Sequence, residues 1–246
     1  MSKNKVALSV ALAGILGASS ALAETDGAFV GVQLGFGGAN TTNEVCSAGG
    51  GMSVCKADSK SANALRYGFL AGYKQFFTEN FGLRYYGVVD YGVDFKIDNA
   101  IEGAGGEMIK FSPKISVLNL SANVDALYNF ISNDSLEFGA FGGLSLAYAS
   151  YKAKNALMDV TPMMTGGSDK PAFKDFKLSG FDMGVNVGVR AQIAQKHGVE
   201  LYGRFAFMEN KKEETLYEDE EEGGKMTQTF KAAQPYQVGL RYTFSF

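Results

Sequence analysis

A chain of 246 residues carries 31 Gly, 19 Phe and 12 Tyr but only 4 Pro and no Trp. Its formal charge of −3 lacks the basic excess that a nucleic-acid partner requires. Mean hydropathy is near zero, and beyond the leader no stretch reaches the roughly 18–20 uninterrupted apolar residues of a spanning helix, which leaves a secreted soluble domain or a membrane barrel.

The N-terminus reads as an export signal. Lys3 and Lys5 precede an apolar run from Val6 to Leu16, and small residues then lead to Ala21-Leu22-Ala23. This pattern predicts a signal peptide over 1–23, cleaved before Glu24. Its loss removes two lysines and no acid, which moves the formal charge from −3 to −5.

The remainder, 24–246, reads as one outer-membrane β-barrel with four long external loops. Period-2 alternation marks eight strands, at about 27–38, 64–77, 81–95, 115–130, 135–151, 179–194, 199–208 and 235–246. In the third, Phe81, Leu83, Tyr85, Val89, Tyr91, Val93 and Phe95 share one face, and Arg84, Tyr86, Val88, Asp90 and Asp94 share the other. A soluble sandwich would alternate in the same way. Length separates the two, since these segments run about 10–17 residues where globular strands run about 5–6. Connections alternate between short (78–80, 131–134, 194–198) and long (39–63, 96–114, 152–178, 209–234), the expected asymmetry of short periplasmic turns and long external loops. Aromatics fall near both strand ends, with Phe77, Phe81, Phe130 and Phe246 at one rim and Tyr91, Phe95, Tyr148 and Phe181 at the other, as two interfacial girdles. The fold class is all-β: a transmembrane antiparallel up-and-down barrel of eight strands.

The apolar faces carry no charge in their central spans. The opposite faces carry Arg66, Lys74, Arg84, Arg190, Arg204 and Arg241 with Asp90, Asp94, Asp125, Glu137, Asp182 and Glu200. Six cations against six acids predict pairing inside a narrow lumen, because a desolvated lone charge costs several kcal/mol. An eight-strand interior is only wide enough for side chains to fill. Contacts of Arg84, Arg190 and Arg204 with Asp90, Asp125 or Asp182 would mark a closed barrel. Segregation of the two signs to opposite walls would mark a channel.

Cys46 and Cys55 share the first long loop, and in an oxidising compartment they are expected to pair as a staple. Seven acids between 213 and 222 lack the ligand spacing of an EF-hand and read as a solvated loop tip. His197, the single histidine, falls in a predicted periplasmic turn with no serine partner. Gly49-Gly50-Gly51 has no following Lys-Ser/Thr and is not a phosphate loop. No catalytic, cofactor or metal site emerges.

The segments GFLAGYKQFF (68–77), FGLRYYGVVDYG (81–92), NVDALYNF (123–130), FGAFGGLSLAYASY (138–151), NVGVRAQIAQKHGVELYGR (186–204) and the terminal YQVGLRYTFSF resemble the barrel region of the Helicobacter-type outer membrane protein family, over about residues 27–246. The FGLRYYG…DYG block is the most specific of them. The resemblance implies an outer-membrane location, with lipid and lipopolysaccharide as surroundings. Phe246, behind aromatics at alternate positions, resembles the end that barrel-assembly machinery reads. Family members include porins and host-binding adhesins. The adhesins carry a large external N-terminal domain not seen here, which leaves the loops as the surface for a host or other ligand. The leading reading is a structural or surface-interaction barrel. The alternative is a narrow porin-like channel for small solutes, and a lipid-modifying enzyme comes last.

Overall fold

The computed structural model describes residues 26–96, 99–102, 108–111, 114–133, 135–159, 172–219 and 224–246, together with the side chains of these apart from 94–96, 99–102, 108–111 and 158. The leader with its cleavage site, Glu220, Glu221 and Glu222, and the side chains of Asp94 and Phe95 lie outside this set. Every element is a strand: β1 (Gly27–Gly49), β2 (Met52–Phe76), β3 (Phe81–Lys96), β4 (Asn99–Glu102), β5 (Met108–Phe111), β6 (Lys114–Ser132), β7 (Leu136–Asp159), β8 (Ala172–Ile193), β9 (His197–Ala206), β10 (Glu209–Asp219), β11 (Gly224–Ala233) and β12 (Tyr236–Ser245).

Eight of them close a ring in the order β1-β2-β3-β6-β7-β8-β9-β12 and back to β1, with every neighbour antiparallel. Closure runs from Phe29 opposite Ser245 to Gly37 opposite Gln237. The ring removes both sheet edges, as an apolar solvent with no hydrogen-bonding capacity demands. The short turns form local polar locks. Thr78 Oγ1 accepts from the amides of Asn80 (3.3 Å) and Phe81 (3.0 Å), and Asn133 Oδ1 accepts from those of Ser135 (3.1 Å) and Leu136 (2.9 Å).

Outward residues fix the membrane band. On β7, Phe138 and Tyr148 both face out, separated by about ten residues, or about 33 Å of strand. At the usual tilt that spans about 25 Å, the height of a barrel's apolar belt. Between these levels the outward side chains are apolar, among them Leu144 and Leu146 on β7, Phe69 on β2 and Val187 and Val189 on β8. Tyr67–Tyr91 and Tyr148–Phe181 form ring contacts at the upper level, and Phe77–Phe81 and Tyr128–Phe130 at the lower.

The strands do not stop at the upper girdle. The links at 39–63 and 209–234, expected to be loops, are instead hairpins. β1 and β2 stay paired to Gly49 opposite Met52, and β10 and β11 pair beside them, with β11 bonded to β1 from Asn40–Ala233 to Ala48–Lys225. Gly50 (φ 58°) and Gly51 (φ 78°) make the two-residue turn that joins β1 to β2, where both central residues require positive φ. The β7–β8 pair likewise reaches Asp159 opposite Ala172. These segments read as loops because their outward positions turn polar, which erases the hydrophobic alternation while the backbone pairing continues.

Above the girdle the pattern inverts. Inward positions become apolar: Ala39, Ala64, Ile115, Val117, Ala149, Tyr151, Ala153, Ala156, Phe176, Leu178, Phe230 and Ala232 form one buried cluster. The wall also splits. β2 leaves β3 above Arg66–Gly92, and β8 leaves its neighbour above Gly184–Ala206, so β2-β1-β11-β10 faces β6-β7-β8. The T-shaped contact of Phe176 with Phe230 (5.4 Å) joins the two faces. The protein is a polar-cored barrel in the membrane that carries an apolar-cored, sandwich-like head above it.

Candidate functional site

Inside the membrane band the inward charges meet in layers. At the upper layer Arg66 pairs with Asp90, which also accepts from Gln237 (3.0 Å), Gln33 (3.3 Å) and Asn119 (3.4 Å). Beside it, Arg204 donates to Asp182 (3.1 Å) and to Ser145 Oγ (2.9 Å). In the middle layer Arg84 donates to Asp125 (Nε–Oδ2 3.0 Å) and to Glu200. Arg84 stands on β3 and Glu200 on β9, which are opposite positions of the ring, so this pair crosses the lumen along its diameter. Arg241 lies 3.8 Å from Glu200 and donates to Gln33 Oε1 (3.0 Å) and Tyr86 Oη (3.1 Å). The guanidinium planes stack as well, Arg84 over Phe141 (4.3 Å) and Arg241 over Tyr202 (3.9 Å). Lys74, Glu137 and Arg190 are buried toward the periplasmic end, where Arg190 donates to Gln192 (3.3 Å).

Burial decides what this lumen can pass. A water-filled pore leaves its lining open to water. Here Asp125 is 0% exposed and even Arg204, the most exposed of these charges among the described residues, reaches only 8%. Two cavities border these residues, one against Asp90, Arg204 and Arg241 and the other against Lys74, Arg84 and Glu200, each with about 10 Å³ of space. A single water needs roughly 10–15 Å³.

Amides and tyrosines do much of the bridging, and a reading limited to charges overlooks them. Asn186 donates to Asp125 (3.1 Å), and Tyr86 donates to the same carboxylate (2.9 Å). Inward parity was sufficient to find Asn186 and Gln237. Gln234 was hidden, because it precedes Pro235, where the alternation slips by one residue between β11 and β12. Its amide accepts from Arg66 and Asn119 (2.9 Å) and donates to Tyr151 Oη (2.9 Å), forming a crossbar between the charged lumen and the apolar head.

The outer hairpins carry the remaining candidates. Cys46 and Cys55 face each other across β1 and β2 and form a disulfide. Reducing it is expected to loosen the hairpin tip by about 2.5 kcal/mol while the barrel stays folded. Limited proteolysis with and without reductant measures this, and cleavage within the barrel strands would contradict it. Of the acids at 213–222, Glu213, Glu214, Glu218 and Asp219 lie on β10 rather than in a loop tip, with Glu214 beside Lys212 (2.5 Å) and Glu218 beside Lys225 (3.1 Å). His197 opens β9 at the lower rim, its Nδ1 2.7 Å from Tyr242 Oη, and Phe246 meets Phe244 beside it in a T-shaped contact (5.5 Å).

The fold is similar to the crystal structure of the outer membrane protein OprG from Pseudomonas aeruginosa (TM-score 0.48, 14% identity, 89% of this chain and 96% of that one). It is also similar to Ail, the attachment invasion locus protein of Yersinia pestis (TM-score 0.35, 10% identity, 89% and 99%), and to Neisserial surface protein A (TM-score 0.33, 16% identity, 86% and 97%). A comparison with curated protein sequences finds no match. The family described as Helicobacter outer membrane protein matches residues 68–246. With that match over most of its length and an eight-strand ring banded for lipid, the chain belongs to the Helicobacter outer membrane protein family and is an integral β-barrel of the cell outer membrane.

Proposed function

We propose that the protein is a closed, non-enzymatic barrel that holds a rigid β head above the outer leaflet, and that the head is its working surface. The observation that carries this reading is the Arg84–Glu200 pair, which crosses the lumen within a layer of buried charges. The head supports it too: its hairpins are pinned by the Cys46–Cys55 disulfide and by the buried cluster around Phe176 and Phe230, which suits a surface that presents fixed side chains to a host or other external ligand. His197, bonded to Tyr242 at the periplasmic rim, lies far from that surface. Export through a leader cleaved after Ala23, and delivery by barrel-assembly machinery that reads the Phe246 end, belong to the same reading. The alternating Tyr242, Phe244 and Phe246 support that route.

Conductance across a planar bilayer tests the closed lumen. Refolded protein, verified by the heat-dependent shift of its gel mobility, is expected to give no discrete steps. Reproducible steps whose ion selectivity changes in Arg84→Gln would replace this reading with the porin-like one.

A further inference from the structure

Outward residues just above the upper girdle form a grid whose rows are set by strand register. The girdle row holds Tyr148 and Phe181. The next row is Leu118, Ser150 and Ser179 on β6, β7 and β8, and above it stand Ser116, Lys152 and Lys177. Lys114 opposite Lys154 comes next, with Asp175 near the β7 bulge. The four lysines are exposed, and among the described residues none has a carboxylate within ion-pair distance. Asp175, two residues from Lys177 on β8, is an exposed acid beside this patch.

Two features set this patch apart from an ordinary solvated surface. Lys152–Lys177 and Lys114–Lys154 are like charges directly opposite one another, an arrangement that destabilises a sheet unless an anion lies between them. The other side of the head mixes signs at similar heights. A like pair stands there too, Lys211 opposite Lys231, but Glu44 lies 3.6 Å from Lys231, and Glu209 and Glu213 flank Lys211 on β10, so acids offset it.

Height selects the anion. Lys152 lies four residues beyond Tyr148, about 13 Å along a tilted strand and so about 10 Å above the edge of the hydrocarbon. The headgroup region occupies the first 5–7 Å or so of that distance. Lysine side chains reach down while their stems cover apolar surface. Their ammonium groups therefore meet the phosphate level of the outer leaflet. The serine hydroxyls of the lower rows form a small polar floor beneath them, and the Tyr148 hydroxyl already bonds Ser179 (2.9 Å).

We infer that Lys114, Lys152, Lys154 and Lys177 form a binding site for the phosphorylated headgroup of an outer-leaflet glycolipid, with Ser116, Ser150 and Ser179 as its floor. The inference rests on the membrane placement of the barrel and does not depend on a closed lumen or on the role of the head.

The test is binding of diphosphoryl lipid A, and of its dephosphorylated form, to the refolded protein in zwitterionic micelles, followed by native mass spectrometry. The intact protein is expected to prefer the phosphorylated lipid. Lys152→Ser with Lys177→Ser is expected to weaken that binding roughly 25-fold, at about fivefold per lysine near an anionic surface. The charge-matched pair Lys211→Ser with Lys231→Ser is expected to leave it unchanged. The first double variant removes exposed lysines and the second an exposed one with the half-buried Lys231, and heat-dependent gel mobility verifies that both fold. For the unaltered protein the preference should fade as salt is raised. Equal binding of the two lipids, a preference that does not change with salt, or equal loss in the two double variants would each overturn the proposal.

Discussion

Arg84→Met is expected to cost the barrel about 3–5 kcal/mol, because it strands two buried carboxylates at once. Asp125 would keep the Tyr86 hydroxyl and the Asn186 amide, but Glu200 would lose the Arg84 hydrogen bond and be left with Arg241 at 3.8 Å and the more distant charge of Arg190. The Phe141 ring would also lose the guanidinium that covers it. A urea titration that follows the folded band on a gel reads the loss directly. Adding Glu200→Gln to Arg84→Met is expected to restore part of it, since one of the two stranded charges is then neutral, and a cycle through both single variants isolates the coupling. Arg84→Lys should fall between, because a single ammonium cannot serve Asp125 and Glu200 with the same fork. If Arg84→Met unfolded within about 1 kcal/mol of the parent, the lumen would have to be wetter than its burial indicates.

A second large effect is expected in the head. Phe230→Ala removes a ring that is 6% exposed and meets Phe176 across the gap between the two facing sheets. Truncating a buried Phe costs about 3–5 kcal/mol. Among the described residues the sheets share no ladder along either seam, so side-chain packing is the main force that holds one against the other. The loss should therefore be local. Hydrogen exchange is expected to accelerate in β10, β11 and the upper part of β1, while β6, β7 and the ring strands at membrane depth keep their protection and the heat-shifted mobility persists. Uniform acceleration throughout the barrel would instead show that head and barrel unfold as one unit.

The membrane part of this fold was legible because lipid enforces one rule on every second residue, and that rule leaves a readable stripe. Strands such as 81–95 and 179–194 stood out by their Phe, Val and Leu stripes, and buried charges such as Arg84, Asp90, Asp182 and Arg190 came with them as the opposite parity. The head was not legible for the same reason. Asn40, Thr42 and Glu44 face outward in β1 much as Val30 and Val32 do lower down, yet they look like loop residues once water replaces lipid outside. The cluster that fills the head is built from Ala39, Ala64, Ala149 and Ala153 as much as from aromatics, and isolated alanines carry little signal of burial. Gln234 was lost at the slip before Pro235. The signs of the charges are readable in the sequence, but which cation meets which acid depends on ring positions that only the closed structure supplies. Arg84 reaching Glu200 across the full diameter is the clearest case.

The plane at which the strands invert also fixes how deep the molecule sits. Displacing the barrel inward by two residues would draw Lys152 and Lys177 toward hydrocarbon, and displacing it outward would strand Leu144 and Leu146 in headgroups and water. Because β1, β2, β6, β7 and β8 run unbroken through that plane, they have little give there to absorb the difference. A bilayer of unsuitable thickness must therefore thin or thicken around the barrel, at a fraction of a kcal/mol per ångström, and the protein will partition toward patches of membrane whose thickness already matches its band.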